Sequence, residues 1–199
     1  MVQKVRLYLT RIFVVLLLGI LLFARNKWEI RAPLVSTVLF SIGCFFAGIA
    51  SLGRLWCSLY IAGHKIKHLI VQGPYSICRN PLYFFSMLGS IGVGLASETF
   101  TIPAILFVAF TFYYPFIIRY EEEKLRNQFG QQYDAYVRRT PRFWPKWSLL
   151  TEPEEYVVNP KTFKRHLFST LWFIWLIGIL ELIEGLHEVN LVPEYFSLY

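Results

Sequence analysis

Residues 32–53 read APLVSTVLFSIGCFFAGIASLG, 22 consecutive positions without Lys, Arg, Asp or Glu. A hydrocarbon core of about 30 Å takes roughly 20 apolar residues to cross as a helix, so this stretch predicts a transmembrane span. Phe100 to Ile118, 19 residues with no charge, predicts a second. Weaker runs surround them. Ile12 to Ala24 becomes long enough if Leu7 to Leu9 join it and Arg11 snorkels to the headgroups. Pro81 to Ser97 opens on a proline suited to a first helical turn and meets the next span through only Glu98 and Thr99, which reads as a tight helical hairpin. Leu167 to Leu180 is apolar but short, ends near Glu181 and Glu184, and either crosses or re-enters.

Composition points the same way. Of 199 residues, 55% are hydrophobic, 18% aromatic and only 17% charged, against about 25% charged in soluble domains. Mean hydropathy is +0.45. The fold class implied is an all-α, polytopic membrane protein with about five transmembrane helices. A net charge of +7 needs no nucleic acid, because positively charged cytoplasmic loops produce the same excess. With the N-terminus cytoplasmic, the inner segments carry three Lys and Arg in residues 1–11, four in Arg54, Lys65, Lys67 and Arg79, and ten from Arg119 to Arg165. The outer side carries only Arg25, Lys27 and Arg31, and no Lys or Arg follows His187. Lys4, Arg6 and Arg11 before an apolar run could open a signal peptide, but Arg25, Asn26, Lys27 and Trp28 follow it instead of a small-residue cleavage site, so an uncleaved helix is expected.

Polar chemistry is therefore expected where segments 54–80 and 119–166 face one compartment. No acidic residue occurs between Glu29 and Glu98, so the first of these segments must borrow its counter-charge from Glu121, Glu122 and Glu123. An antiparallel hairpin juxtaposes the start of one helix with the end of the next, bringing those glutamates to the Asn80, Pro81 and Tyr83 end. Such a site suits a zwitterion, with Tyr75, Tyr83 and Phe84 available for a flat ring; an interfacial salt-bridge cluster with an aromatic belt is the structural alternative.

The run Gly73, Pro74, Tyr75, Ser76, Ile77, Cys78, Arg79, Asn80, Pro81, Leu82, Tyr83 resembles the Gly-x-Tyr-x-x-x-Arg-His-Pro-x-Tyr signature of the isoprenylcysteine carboxyl methyltransferase family and its phospholipid methyltransferase relatives. Glu121, Glu122, Phe129, Gly130, Tyr133, Tyr136, Arg139, Pro141 and Pro145 resemble that family's paired-glutamate block, which also follows a membrane hairpin. The likeness covers roughly residues 50 to 147 and implies N-terminal transmembrane helices at 1–53, a methyltransferase core at 54–147 and a C-terminal extension with a fifth helix at 148–199. It implies S-adenosylmethionine as cofactor, bound at the cytoplasmic face by Lys67, His68, Leu69 and Ile70, largely through backbone, and by Tyr75, Asn80, Pro81, Leu82 and Tyr83. Glu121 would accept from the methionine ammonium in a charge-assisted hydrogen bond.

Two positions depart from the family pattern. Asn80 stands where a histidine is usual and does not titrate near neutral pH. Ile117 stands where a substrate-binding arginine is usual, and Arg119 is the nearest cation. Methyl transfer is an in-line displacement from a sulfonium, so positioning is the protein's main task. A carboxylate acceptor needs no base; an amine needs one, for which Glu122, Tyr83 or His64 are candidates, and Arg119 and Glu122 are the catalytic expectations. The expected partners are membrane lipids and a lipophilic or small acceptor bearing a carboxylate, amine or thiol. Two other functional classes are open: a membrane reductase of related core using NADPH, whose chains are usually longer, and a non-catalytic membrane subunit.

Smaller signals have blander readings. His64 and His68 share a helical face but make no metal site, and Cys44, Cys57 and Cys78 show no zinc spacing, so no metal is expected. Arg138, Arg139, Arg142 and Lys146 interleave with Phe143, Trp144 and Trp147, which suits anionic headgroups better than nucleic acid. Glu181 and Glu184, one helical turn apart, read as a solvated helix end in preference to the lining of a polar path, and Cys57 and Cys78 as small fillers. Ser86, Ser90 and Gly94, like Gly43 and Ala47, are spaced by four for close helix packing.

Overall fold

The computed structural model describes residues 2–62 and 68–199, with only the backbone described at 2–11, 25, 29 and 30. Helix α1 (Val2–Leu22) leads into a short strand β1 (Ala24–Asn26), a one-turn helix α2 (Lys27–Arg31) and the long α3 (Pro33–Ile61). A coil carries the chain to the short α4 (Pro74–Ile77) and then to the hairpin of α5 (Pro81–Ala96) and α6 (Thr101–Phe129). Helix α7 (Gln131–Arg139) follows, then a 3-10 turn at Trp147–Leu149, α8 (Pro160–Thr170), α9 (Trp172–Glu188) and strand β2 (Phe196–Leu198). Among the described residues, α3, α6 and α8 with α9 taken together are long and apolar enough to cross a bilayer; residues 12–22 and α5 are shorter apolar helices.

The helices overrun the apolar runs. Helix α3 continues past Gly53 to Ile61, and α6 past Ile118 to Phe129, so Glu121 and Glu122 sit on the helix itself and not beyond its end. Arginine and glutamate are good helix formers, and a charge ends the membrane-compatible stretch without ending the helix. Proline 115 inside α6 removes one ladder hydrogen bond from its middle. The last apolar stretch is likewise longer than its sequence core, because α8 and α9 are separated by Leu171 alone. Helix α8 starts at Pro160 with Asn159 as its cap, the side chain accepting from the Thr162 backbone N–H.

Helices α3 and α5 are pressed backbone to backbone. A Cβ built on Gly43 would lie 2.6 Å from the Gly92 carbonyl oxygen, and one on Gly92 would lie 2.7 Å from the Ala47 nitrogen. The expected small-residue face of α5 divides between two partners: Gly94 admits Pro103 of α6, while the Ser86 hydroxyl receives Arg54 of α3. Helix α9 closes the group by laying Phe173 on Gly89, against buried Ala47 and Ala50.

One end of the bundle is tied by a feature that the all-α expectation did not contain. Strands β1 and β2 pair in parallel, Ala24 opposite Phe196 and Asn26 opposite Leu198. The Tyr199 carbonyl accepts from the Phe100 and Thr101 backbone N–H groups, 2.8 Å each, satisfying the start of α6. In the α5–α6 turn, Glu98 adopts φ 58° and accepts from the Asn26 amide at 2.9 Å and from the Ser36 hydroxyl. A cavity of about 240 Å³ opens here, lined in part by Glu98, Glu184, His187, Glu188 and Glu194. Glu184 thus lines a cavity, where the sequence suggests a plain solvated helix end.

Candidate active site

The other end gathers the sequence-predicted residues. Its centre is Glu122 on α6. One carboxylate oxygen accepts from Arg79 Nε at 3.1 Å and from Asn80 Nδ2 at 3.0 Å, and the other pairs with Arg142 at 3.0 Å. Arg79 also donates to the Val137 and Thr140 carbonyls, and Asn80 to the Arg142 carbonyl at 3.0 Å. The signature and the glutamate block are thereby locked together. With both oxygens engaged by cationic or amide donors, Glu122, a candidate base by sequence, ties α6 to the start of α5. Asn80, nearly buried, likewise turns its side chain to Glu122 and caps the start of α5 through its backbone, its carbonyl accepting from Tyr83 and Phe84. Arg119 is exposed and has no ion pair among the described residues.

Residues 141–151 fasten the signature from beneath through the main chain. The Arg79 N–H donates to the Pro141 carbonyl, the Lys146 N–H to Ile77, and the Gly73 N–H to Thr151, at 2.8 to 2.9 Å. Thr151 N–H returns a bond to the Ser76 hydroxyl at 3.0 Å, and the Tyr136 hydroxyl donates to the Tyr75 carbonyl at 2.6 Å. Gly73 has φ 58° and faces the Tyr60 ring so closely that any Cβ there would strike it, which leaves glycine as the residue the turn admits. Trp147 stacks on Trp56 of α3 with the rings 3° from parallel.

Among the expected cofactor contacts, Lys67 lies outside the described residues, as does His64. His68 is exposed; Leu69 and Ile70 are half-buried in coil, and the N–H groups of Leu69, Ile70 and Val71 donate to no backbone carbonyl among the described residues. Tyr75 is half-buried in α4. Burial raises its phenol well above the ordinary value, and the facing Cys57, Tyr136, Cys78 and Glu121 add to the effect. Glu121 is within electrostatic reach of Tyr75. Pro81 is fully buried, Leu82 is half-buried, and the Tyr83 ring meets Tyr114 of α6 edge to face, centroids 5.3 Å apart. Burial also raises the Cys78 thiol to about 12 and the Tyr133 phenol to about 12.

The donor set is compatible with S-adenosylmethionine: backbone donors at 69–71 that meet no backbone carbonyl among the described residues, for a purine edge, aromatic rings at Tyr75 and Tyr83, and a carboxylate at Glu121 for an ammonium. The counter-charge expected for segment 54–80 from Glu121 to Glu123 is present in the Arg79–Glu122 pair, whereas sequence alone assigns neither Arg142 nor Tyr136 an individual role in building the site. Arg79 is within the signature itself, and Arg142 between two prolines was available as a signal. Arg142, expected among a headgroup-facing basic patch, also pairs with Glu122 while staying partly exposed.

Residues 15–132 match the phospholipid methyltransferase family. The chain belongs to that family. The match spans α3, the signature and α6 but ends before Tyr133, Tyr136 and Arg142, so the segment that fastens the signature lies outside it. Two relatives extend over nearly the whole chain. The cobalt-zinc-cadmium resistance protein CzcN of Cupriavidus metallidurans is 35% identical over 97% of this chain and 88% of its own length. The nickel-cobalt-cadmium resistance protein NccN of Alcaligenes xylosoxydans xylosoxydans is 35% identical over 97% of this chain and 89% of its own. No solved structure matches the chain. Phospholipid methyltransferase family membership implies an integral-membrane methyltransferase, and members of the family usually use S-adenosylmethionine.

Proposed function

We propose that this protein transfers a methyl group from S-adenosylmethionine to a lipophilic or small acceptor at the cytoplasmic face of a membrane that it crosses about five times. The observation that carries the reading is the locking of signature to glutamate block through Arg79, Asn80 and Glu122. It fixes two remote stretches as one wall, the arrangement positional catalysis needs. The charge asymmetry of the loops supports placing this wall inside the cell.

When bound, S-adenosylmethionine supplies an electrophilic methyl on a sulfonium. The backbone of 68–70 and Tyr75 would hold its nucleoside, and Glu121 its ammonium. Pro81, Leu82 and Tyr83 would wall the side facing the membrane, where low water content strengthens the electrostatic hold. Glu122 and Asn80 act one step back, by fixing the start of α5. Since Glu122 is committed to three donors, the arrangement favours an acceptor that arrives already anionic over one that must be deprotonated. For this chain we extend the role in the relatives' names: methyl transfer would serve resistance to divalent heavy metals.

Calorimetry on purified protein in detergent tests the reading. Saturable S-adenosylmethionine binding that weakens about tenfold or more in Glu121→Gln is the expected outcome; absent binding, or binding indifferent to that change, overturns it. Deuteromethyl-labelled cofactor with native lipid and metabolite extracts would then name the acceptor by its mass increment.

A further inference from the structure

Arg54 is the one described cation set deep in the helical bundle that the site above does not use. It lies seven residues inside the end of α3, roughly 10 Å below it at 1.5 Å per residue. One terminal nitrogen donates to the Ser86 hydroxyl at 2.5 Å. The guanidinium carbon stands 5.5 Å from the centroid of the Phe173 ring. Nε is buried and makes no hydrogen bond. No carboxylate pairs with Arg54 among the described residues, and the titratable groups facing it are Tyr114 and Cys57. Ser86 is itself engaged, donating to the Leu82 carbonyl at 2.7 Å.

A hydroxyl and a ring are a poor complement for a guanidinium. Its planar fork of five donors matches a carboxylate or phosphate in bidentate fashion, and ionisable side chains within membrane spans usually face a partner or a substrate path. The position is also telling. Ser86 lies one turn from Tyr83 on α5, and the Tyr83 ring meets Tyr114 of α6. Arg54, on α3, therefore lies against α5 and α9 and within electrostatic reach of Tyr114 on α6, its contact on α5 one helical turn from Tyr83.

We infer that Arg54 is an acceptor-recognising residue, holding an anionic oxygen head, phosphate or carboxylate, of an amphiphile that reaches the site from the bilayer. Calling that ligand the acceptor rests on the methyltransferase reading; the anion site itself does not. Arg54 binds and orients, and takes no proton. A headgroup held there is placed at a fixed distance below Tyr83, which makes Arg54 a selector among amphiphiles.

The test uses the full chain in neutral detergent, titrated with dodecyl phosphate, dodecanoate and dodecanol and followed by tryptophan fluorescence, with S-adenosylmethionine binding measured in parallel. Wild type should bind at least one anionic probe about tenfold more tightly than dodecanol, a charge-assisted preference; which probe is preferred distinguishes a phosphate head from a carboxylate. Arg54→Gln should abolish the preference while cofactor binding persists. Arg54→Lys, which keeps the charge and loses the fork, should reduce it about threefold or more and carries the test if the glutamine variant does not fold. A wild type indifferent to the anionic head, or a preference unchanged in either variant, overturns the inference. Discrimination among the probes without cofactor binding would leave Arg54 as an anion site and overturn the methyltransferase reading instead.

Discussion

Glu122 and Glu98 hold opposite ends of the same helical pair, α5 and α6, by different chemistry. Glu122 sits between two guanidiniums and an amide, drawn from residues 79, 80 and 142. Glu98 occupies the turn itself, in a left-handed backbone conformation, and takes one amide and one hydroxyl from Asn26 and Ser36. Around Glu122 the neighbouring segments close in through main-chain hydrogen bonds. Around Glu98 the helices part to form the cavity of about 240 Å³ with several further carboxylates on its walls. The phenols follow the same division: burial raises Tyr133 beside Glu122, whereas Lys27, bonded to and lying over the exposed Tyr199 ring, lowers its phenol. The end proposed to do chemistry is thus the one held by a carboxylate fixed between two guanidiniums, which keeps its geometry rigid.

The contrast is most exposed to Glu122→Ala. Removing the carboxylate strands Arg79 and Arg142 in a partly dry setting, and breaking such a pair costs about 3 kcal/mol once the partial exposure of Arg142 is discounted. Thermal unfolding in detergent should show the drop, and S-adenosylmethionine binding should fall with it because the signature loses its anchor. Glu98→Gln should cost less, about 1–2 kcal/mol, since the amide keeps an acceptor for Asn26 and Ser36 while losing the charge; cofactor binding should not change. Equal losses in the two variants would erase the distinction between the ends. The smallest effect expected is on pH dependence. The Cys78 thiol is raised by burial from 9.0 to about 12 in the folded chain. Its contribution is complete below the unfolded value and is lost as pH climbs from about 9 towards about 12, amounting to about 1 kcal/mol by pH 10. Tyr133, raised from 10.0 to about 12, acts in the same direction slightly higher. Cys78→Ser stability measured from pH 8 to 10 should be flatter than wild type.

How far the sequence reaches follows from what kind of interaction makes each part. The spans are legible because apolar runs respond to a solvent, the bilayer, that treats all such residues alike; hence the cores of α3 and α6 at 32–53 and 100–118. Their true ends are not legible from charge, because a charged side chain leaves the membrane while the helix runs on through Ile61 and Phe129. The meeting of Asn80 with Glu122 is foreseen from the hairpin's geometry and from the quoted motifs. The pairing within it is less so: that Glu122 takes Arg142, Arg79 and Asn80 together is not readable from their spacing. Main-chain bonds such as Arg79 to Pro141 and Gly73 to Thr151 leave no mark on side-chain chemistry. The β1–β2 pairing is equally silent, three residues on each side joined across nearly the whole chain length.

With no room for a Cβ at Gly43 or Gly92, α3 and α5 form a single slab that leaves no gap between them for an acyl tail. On the proposed reading, a lipid-borne acceptor would have to arrive along the flanks formed by α6 and α9, and not between the central pair.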